Sequence, residues 1–196
     1  RGDELWGAID LRAPGRHNVQ NALLALAVAD HLGVGCEQIR EALAVFAGVR
    51  RRFEVVGQAG GVTVIDDYGH HPTEIKATLQ AARARYGERP LWAVFQPHTY
   101  SRLAALWDAF CAAFDDADHV IVLDIYAARE TDTLGLSAEA LAEQIRHPDA
   151  RHVSGLKEAA RAIVVSIEPD GVLVTLSAGD GNRVGSLVLQ ELAHVV

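Results

Sequence analysis

The 196-residue chain has no methionine, two cysteines and six prolines, and aromatic residues make up 6% of it. Cys36 and Cys111 each sit in a helix-like apolar pattern, so burial as small hydrophobes is expected, and a disulfide framework is excluded. The missing methionine, with Arg1 in first place, leads to the expectation that the chain is part of a longer polypeptide. No run approaches the eighteen or so apolar residues that a membrane span requires, and the start lacks the charged-then-apolar pattern of a secretion signal. A soluble, cytoplasmic protein without a membrane partner is expected. Positive charge is also scarce: 18 Lys and Arg against 26 Asp and Glu leave a net charge of -8, with the basic groups dispersed. Phosphate contacts over a nucleic acid would be repelled, so no nucleic-acid partner is expected. Repeats and low-complexity tracts are absent too.

What is present is an apolar fraction of 49%, enough for a core. From Gly61 onward, short β-branched runs alternate with helix-period segments, the pattern of βα units around a parallel sheet. The expected fold is α/β: a Rossmann-like C-terminal domain with a mostly parallel sheet. The apolar runs predict strands over 62–67, 91–96, 120–125 and 172–177, with a weaker one near 151–153. Helices are predicted over 73–86, 101–114, 137–146, 156–167 and 183–194, with Ser137 as an N-cap. Residues 1–58 read differently, with helices over 18–32 and 37–46 and a strand over 52–56. The three glycines of Gly57 to Gly61 suit either a hairpin turn or an interdomain link, and the boundary is placed there, dividing the chain into 1–58 and 59–196.

Ligands of open α/β sheets sit at the carboxyl ends of strands. The segment after the first such strand, Asp66-Asp67-Tyr68-Gly69-His70-His71-Pro72-Thr73-Glu74, crowds two carboxylates, a phenol and two imidazoles into a few positions. The acids can accept sugar hydroxyls or hold a cation, and the imidazoles can bind phosphate, carboxylate or metal. Helix capping by the same residues is the plainer alternative. His70, His71 and Glu74 could also be read as zinc ligands, but nothing completes a tetrahedral shell, and no metal centre is expected. After the next strand comes Gln96-Pro97-His98-Thr99-Tyr100-Ser101-Arg102. An arginine in the first turn of a helix opposes the helix dipole unless it faces an anion, so Arg102 is a candidate carboxylate clamp, with a solvated arginine as the alternative. Asn18 and Asn21 open a helix where an amide can cap or read a base edge; Arg50-Arg51-Arg52 is either a phosphate site or a solvated run. Ser177-Ala178-Gly179-Asp180-Gly181-Asn182-Arg183 joins a strand to a helix with backbone amides suited to an anion.

In this order the motifs resemble those of the Mur ligases, over nearly the whole chain. His17-Asn18 through Asn21 resembles the helix at the end of that family's central ATPase domain, Arg52-Phe53-Glu54 its exit, and the remainder the C-terminal domain. Asp66 to Glu74 followed by Phe95-Gln96-Pro97-His98 resembles the pattern of the L-alanine-adding member. The resemblance implies a parent enzyme that uses ATP and Mg2+ to join L-alanine to UDP-N-acetylmuramate through an acyl phosphate, in the cytoplasm, during peptidoglycan synthesis. It implies Asn18 and Asn21 near the adenine, Arg52 near the ATP phosphates and Asp67 near the ribose. Tyr68, His70, His71, His98, Arg102 and Ser177 are then expected on the acceptor side, with His70 favoured over His71. Thr99 stands where some members carry a second arginine, and Ser177-Ala178-Gly179-Asp180 stands for the family's Gly-Ala-Gly-Asp. No Gly-x-x-Gly-Lys-Thr phosphate loop occurs in the sequence, so the chain alone is expected to be inactive and to depend on its own N-terminal and central domains. A tripeptide-adding recycling ligase, a stand-alone precursor-binding module and a metal hydrolase are the competing readings.

Overall fold

The computed structural model describes residues 7–12, 16–46 and 49–194. The chain divides into two compact units, Arg1–Val49 and Arg50–Val196. The first contains α1 (Arg16–His31) and α2 (Cys36–Val45), close to the helices predicted there. α1 ends where Gly33 takes φ +82° and Val34 N–H donates back to the Ala29 carbonyl, a stop that glycine makes inexpensive.

The second unit holds β1 (Glu54–Ala59), β2 (Val62–Asp67), α3 (Pro72–Tyr86), β3 (Leu91–Phe95), α4 (Tyr100–Ala105), α5 (Trp107–Cys111) and β4 (His119–Val122). It continues through α6 (Ala138–Gln144), β5 (Ala150–His152), α7 (Leu156–Ser166), β6 (Val172–Leu176) and α8 (Arg183–His194). Its six-stranded sheet has the order β1-β2-β6-β3-β4-β5, and only the β1–β2 pair is antiparallel. The α/β, mostly parallel expectation is met. The glycine segment resolves to a hairpin turn, with Gly60 and Gly61 at φ +56° and +81°. The strand expected to close the first region is therefore β1, whose backbone hydrogen bonds go to β2; the compact units part at Val49, ahead of the expected residue 58. The helix predicted over 101–114 is two short ones, interrupted where Leu106 leaves helical geometry at φ -123°, ψ 21°.

β2, β3 and β6 are buried along their whole length because helices cover both faces. On one face Ile65, Phe95 and Val174 meet Ile75 and Leu79 of α3 together with Phe110, Phe114 and Leu141. On the other, Val64, Trp92 and Leu173 meet Ala159 and Ile163 of α7 and Val184 and Val188 of α8. α8 lies so close to β2 that a Cβ at Gly185 would stand 2.8 Å from Val64 Cγ1. Gly185→Ala is expected to cost about 1–3 kcal/mol through overpacking, read as a lower urea midpoint with unchanged slope. An unchanged midpoint would show that the helix can simply move away.

At the amino ends of the strands, Asp118 accepts from Arg83 Nη2 at 2.7 Å and from Leu91 N–H at 2.8 Å. Partial burial alone would raise this carboxyl, but the Arg83 hydrogen bond, the Leu91 N–H and the Arg83 charge hold it below its ordinary value of 3.8. A carboxyl depressed in the folded state contributes stability that is present above its unfolded value and is lost as pH falls through the folded one. Asp118→Asn is accordingly expected to lower stability at neutral pH and to flatten its decline in acid, measured as denaturant midpoint against pH. Parallel curves for the variant and wild type would contradict this.

Candidate functional site

The two carboxylates that end β2 are both consumed by the protein itself. Asp66, 5% exposed, accepts from Arg51 Nε at 3.1 Å and from the Thr175 hydroxyl at 3.0 Å. Asp67, 4% exposed, accepts from Phe53 N–H at 2.8 Å through one oxygen and from Gly69 N–H at 2.6 Å through the other. Burial pushes the Asp67 carboxyl up, against the lowering effect of those two N–H groups and of Arg52. The next residues divide the labour. His71 caps α3, its Nδ1 accepting Thr73 N–H at 3.2 Å, while Glu74 accepts the N–H groups of His70 and His71 at 3.0 and 3.1 Å. Partial burial would raise Glu74, but the His70 N–H and charge, the His71 N–H and Arg52 hold it below its ordinary range. The plainer capping alternative thus describes His71 and Glu74, and His70 also serves the turn, its N–H donating to Glu74 and its Nδ1 lying 2.9 Å from the Tyr68 carbonyl.

His70 packs edge-on against Tyr68 at 5.3 Å and against His98 at 5.7 Å between ring centroids. His98, after β3, stacks on Tyr126, after β4, at 5.5 Å with the planes 10° apart. Tyr68, His70, His98 and Tyr126 therefore form a continuous row of rings at the carboxyl edge of the sheet. Arginines flank it. The guanidinium carbons of Arg51 and Arg52 lie 5.1 and 5.6 Å from the Tyr68 centroid, in cation–π range. Arg102 Nη1 donates to the His98 carbonyl at 2.8 Å, and among the described residues no carboxylate is within ion-pair distance of it. Burial first, then the charges of His70 and Arg102, push the His98 imidazole below its ordinary value, so it is neutral at pH 7. A guanidinium without a carboxylate, a neutral imidazole and phenol faces together suit a small zwitterion or carboxylate.

The loop after β6 is tied down. The Ser177 hydroxyl donates to Gln96 Oε1 at 2.8 Å and accepts the N–H groups of Gly179 and Gly181 at 3.0 and 3.2 Å. Gln96 also accepts Gly181 N–H at 2.9 Å and donates to Asp180 at 2.8 Å. The Gly179 and Gly181 amides, two of those expected to meet an anion, are engaged internally, and Ser177 shapes the loop. A separate cleft of about 370 Å³, lined by Pro72, Thr73, Lys76, Ala77, Gln80 and Ala109, shares none of the ring-row residues.

Of the residues singled out in the sequence, Tyr68, His70, His98 and Arg102 come together. Arg52 stands beside them, half-exposed, with its Nη1 3.4 Å from Glu74. Asn18 and Asn21 lie on α1 in the first unit, Asn18 half-buried and Asn21 exposed. Tyr126 and Glu130 escape the sequence reading, and Arg51, read there as part of a phosphate site or a solvated run, is instead paired with Asp66. Glu130 accepts Ser101 N–H at 3.0 Å and the Ser101 hydroxyl, and these hydrogen bonds push its carboxyl down to about 2. Tyr126 and Glu130 are hidden because the apolar run 120–125 extends the expected strand, whereas the chain has left the sheet after Val122. The rule that function gathers beyond strand ends points to them once that end is known.

Comparison with known proteins places the chain by family and fold. The model of the family described as "Mur ligase, glutamate ligase domain" matches residues 51–179. A UDP-N-acetylmuramate--L-alanine ligase of Roseiflexus sp. (strain RS-1) is 52% identical over 97% of this chain and 41% of its own length. Among solved structures, the UDP-N-acetylmuramate-alanine ligase of Thermotoga maritima is 29% identical with a TM-score of 0.77, over 96% of this chain and 40% of that one. A murein peptide ligase of Psychrobacter arcticus is 28% identical with a TM-score of 0.72, over 96% and 39%. The chain thus spans about two fifths of the length of the curated relatives it matches.

Proposed function

This chain belongs to the Mur ligase family, and we propose that it is the acceptor-binding part of an ATP-dependent ligase that joins L-alanine to UDP-N-acetylmuramate in cytoplasmic peptidoglycan synthesis. The observation that carries this is the guanidinium of Arg102, without a carboxylate partner among the described residues, at the edge of the ring row. Arg102 binds the carboxylate of the amino acid, and Tyr68 and His70 orient it. His98, held neutral, accepts a hydrogen bond or a proton from the substrate's ammonium group. Relatives that carry the L-alanine ligase name at about half identity support the choice of substrate.

The boundary follows the compact units: residues up to Val49 are assigned to the end of a central ATP-binding domain, and those from Arg50 on, β1 included, to the acceptor-side domain. The chain's own residues fit only an edge of a nucleotide site. Arg52 keeps its guanidinium half-exposed for a phosphate, whereas Asp67, 4% exposed with both oxygens accepting N–H groups, is held for the fold and not presented to a ribose hydroxyl. Asn18 and Asn21 are assigned to the adenine. Bound ATP with Mg2+ supplies the phosphoryl group that activates the muramoyl carboxylate as an acyl phosphate. The rest of the work, holding the acceptor and excluding water, belongs to the ring row.

The test is ADP release by the full-length protein with UDP-N-acetylmuramate and varied amino acids. L-alanine is expected to be the preferred acceptor. A preference for the preformed tripeptide would instead support the recycling reading, and binding without turnover would support a stand-alone module.

A further inference from the structure

We infer that the loop after β4 is the positioning element of the ring row: Tyr126 sets the plane of His98, and Glu130 fixes the turn that carries Arg102. Two contacts hold Tyr126. Its ring stacks on His98, and its N–H donates to the Pro97 carbonyl at 2.8 Å as part of the parallel β-bridge between His98 and Tyr126. On its other side there is no room: a Cβ at Gly179 would stand 2.7 Å from Tyr126 Cγ and Cδ2 and 2.5 Å from Gln96 Oε1. Tyr126 is thus wedged between His98 and the tied loop after β6, although it remains 40% exposed.

Glu130 does the equivalent for α4. The helix begins after Thr99, whose side chain makes no capping hydrogen bond. Glu130, from a loop 29 residues on, accepts Ser101 N–H and the Ser101 hydroxyl in its place. The next residue is Arg102, anchored on the His98 carbonyl. A carboxylate beside an anion-binding arginine would weaken it if left free; here both oxygens are committed to the helix start. The charged and titratable groups that face His98 are His70, Arg102 and Glu130, and the stacked Tyr126 completes its surroundings.

The catalytic consequence rests on the acceptor-binding reading above; the structural one does not, and the experiment separates them. In this chain, the His98 imidazole is titrated by NMR, with the signal assigned by His98→Gln. Tyr126→Leu is expected to bring the titration midpoint back up toward the ordinary value of 6.5. Tyr126→Phe, which keeps the ring, is expected to hold the wild-type midpoint. Gly179→Ala, which pushes an intact Tyr126 off an intact His98, is expected to raise it and keeps the test decisive if Tyr126→Leu does not fold. In the full-length protein, Tyr126→Leu and Glu130→Gln are expected to raise the KM for L-alanine about tenfold with a smaller change in kcat, as for groups that place rather than react. An unmoved His98 midpoint in a folded Tyr126→Leu or Gly179→Ala variant overturns the positioning role of Tyr126. An unchanged KM in Glu130→Gln overturns that of Glu130. A full-length protein that ignores L-alanine overturns the acceptor reading alone, and the His98 titration still decides Tyr126.

Discussion

Arg102→Ala, introduced into the full-length protein, is expected to lower kcat/KM for L-alanine by about ten- to a hundred-fold. A hydrogen bond to a charged group is worth roughly 1.5–3 kcal/mol, and each 1.4 kcal/mol or so is a factor of ten. The loss should fall on KM, because Arg102 grips a part of the substrate that does not react. Arg102→Lys should recover only a fraction, since an ammonium lacks the planar fork that meets both oxygens of a carboxylate. Folding stability should change by no more than about 0.5 kcal/mol, because the polar contacts of the side chain are all to His98. Kinetics with varied L-alanine, alongside thermal melts, measure both. A fall in kcat at constant KM would place Arg102 in the chemistry and contradict the clamp.

Arg51 carries the largest effect expected on stability. Its guanidinium donates to Asp66 and, at 2.6 Å, to the Ser177 carbonyl, its carbonyl accepts Tyr68 N–H, and its own N–H donates to Glu54. Arg51→Met would leave the buried Asp66 carboxylate with the Thr175 hydroxyl as its remaining side-chain donor. Removing one partner of a buried ion pair costs about 3 kcal/mol or somewhat more, readable as a lower urea midpoint for this chain. Adding Asp66→Asn removes the stranded charge and should restore part of the loss, giving a coupling of at least about 1 kcal/mol. Strict additivity of the two changes would contradict the pairing.

The α/β class, the strand positions and the carboxyl-edge turns after β2, β3 and β6 are legible in the sequence because buried strands read as unbroken apolar runs and the turn chemistry lies just beyond them. β2, β3 and β6 begin where expected. The antiparallel partnership of β1 is not legible, since a glycine pair can turn a hairpin or end a domain and only the opposite strand decides. Arg51 and Phe53 hold left-handed backbone conformations at φ +59° and +51°, which no residue pattern announces outside glycine and asparagine. The buried Phe53 tolerates this because Asp67 accepts its N–H, a contact between residues 14 apart. For the same reason Asp67 could be named as a polar residue of importance, but its burial and its commitment to two backbone donors could not. Residue type alone does not separate His70 from His71, and only the family resemblance favours His70; the helix start takes His71 as its cap and leaves the His70 ring to the row.

The knot of Ser177, Gln96 and Gly181 has a further meaning for traffic. In many open sheets the crevice beyond the central strands is the doorway, whereas here β6 and β3 end in side chains that are almost wholly shielded, Ser177 at 1% and Gln96 at 4% exposure. That floor is sealed by its own hydrogen bonds. The exposed rings of the row are its two ends, Tyr68 and Tyr126, with His70 and His98 recessed between them. On the acceptor reading proposed above, a molecule that reaches the imidazoles therefore meets the two exposed phenols at the ends of the row and no opening through the floor.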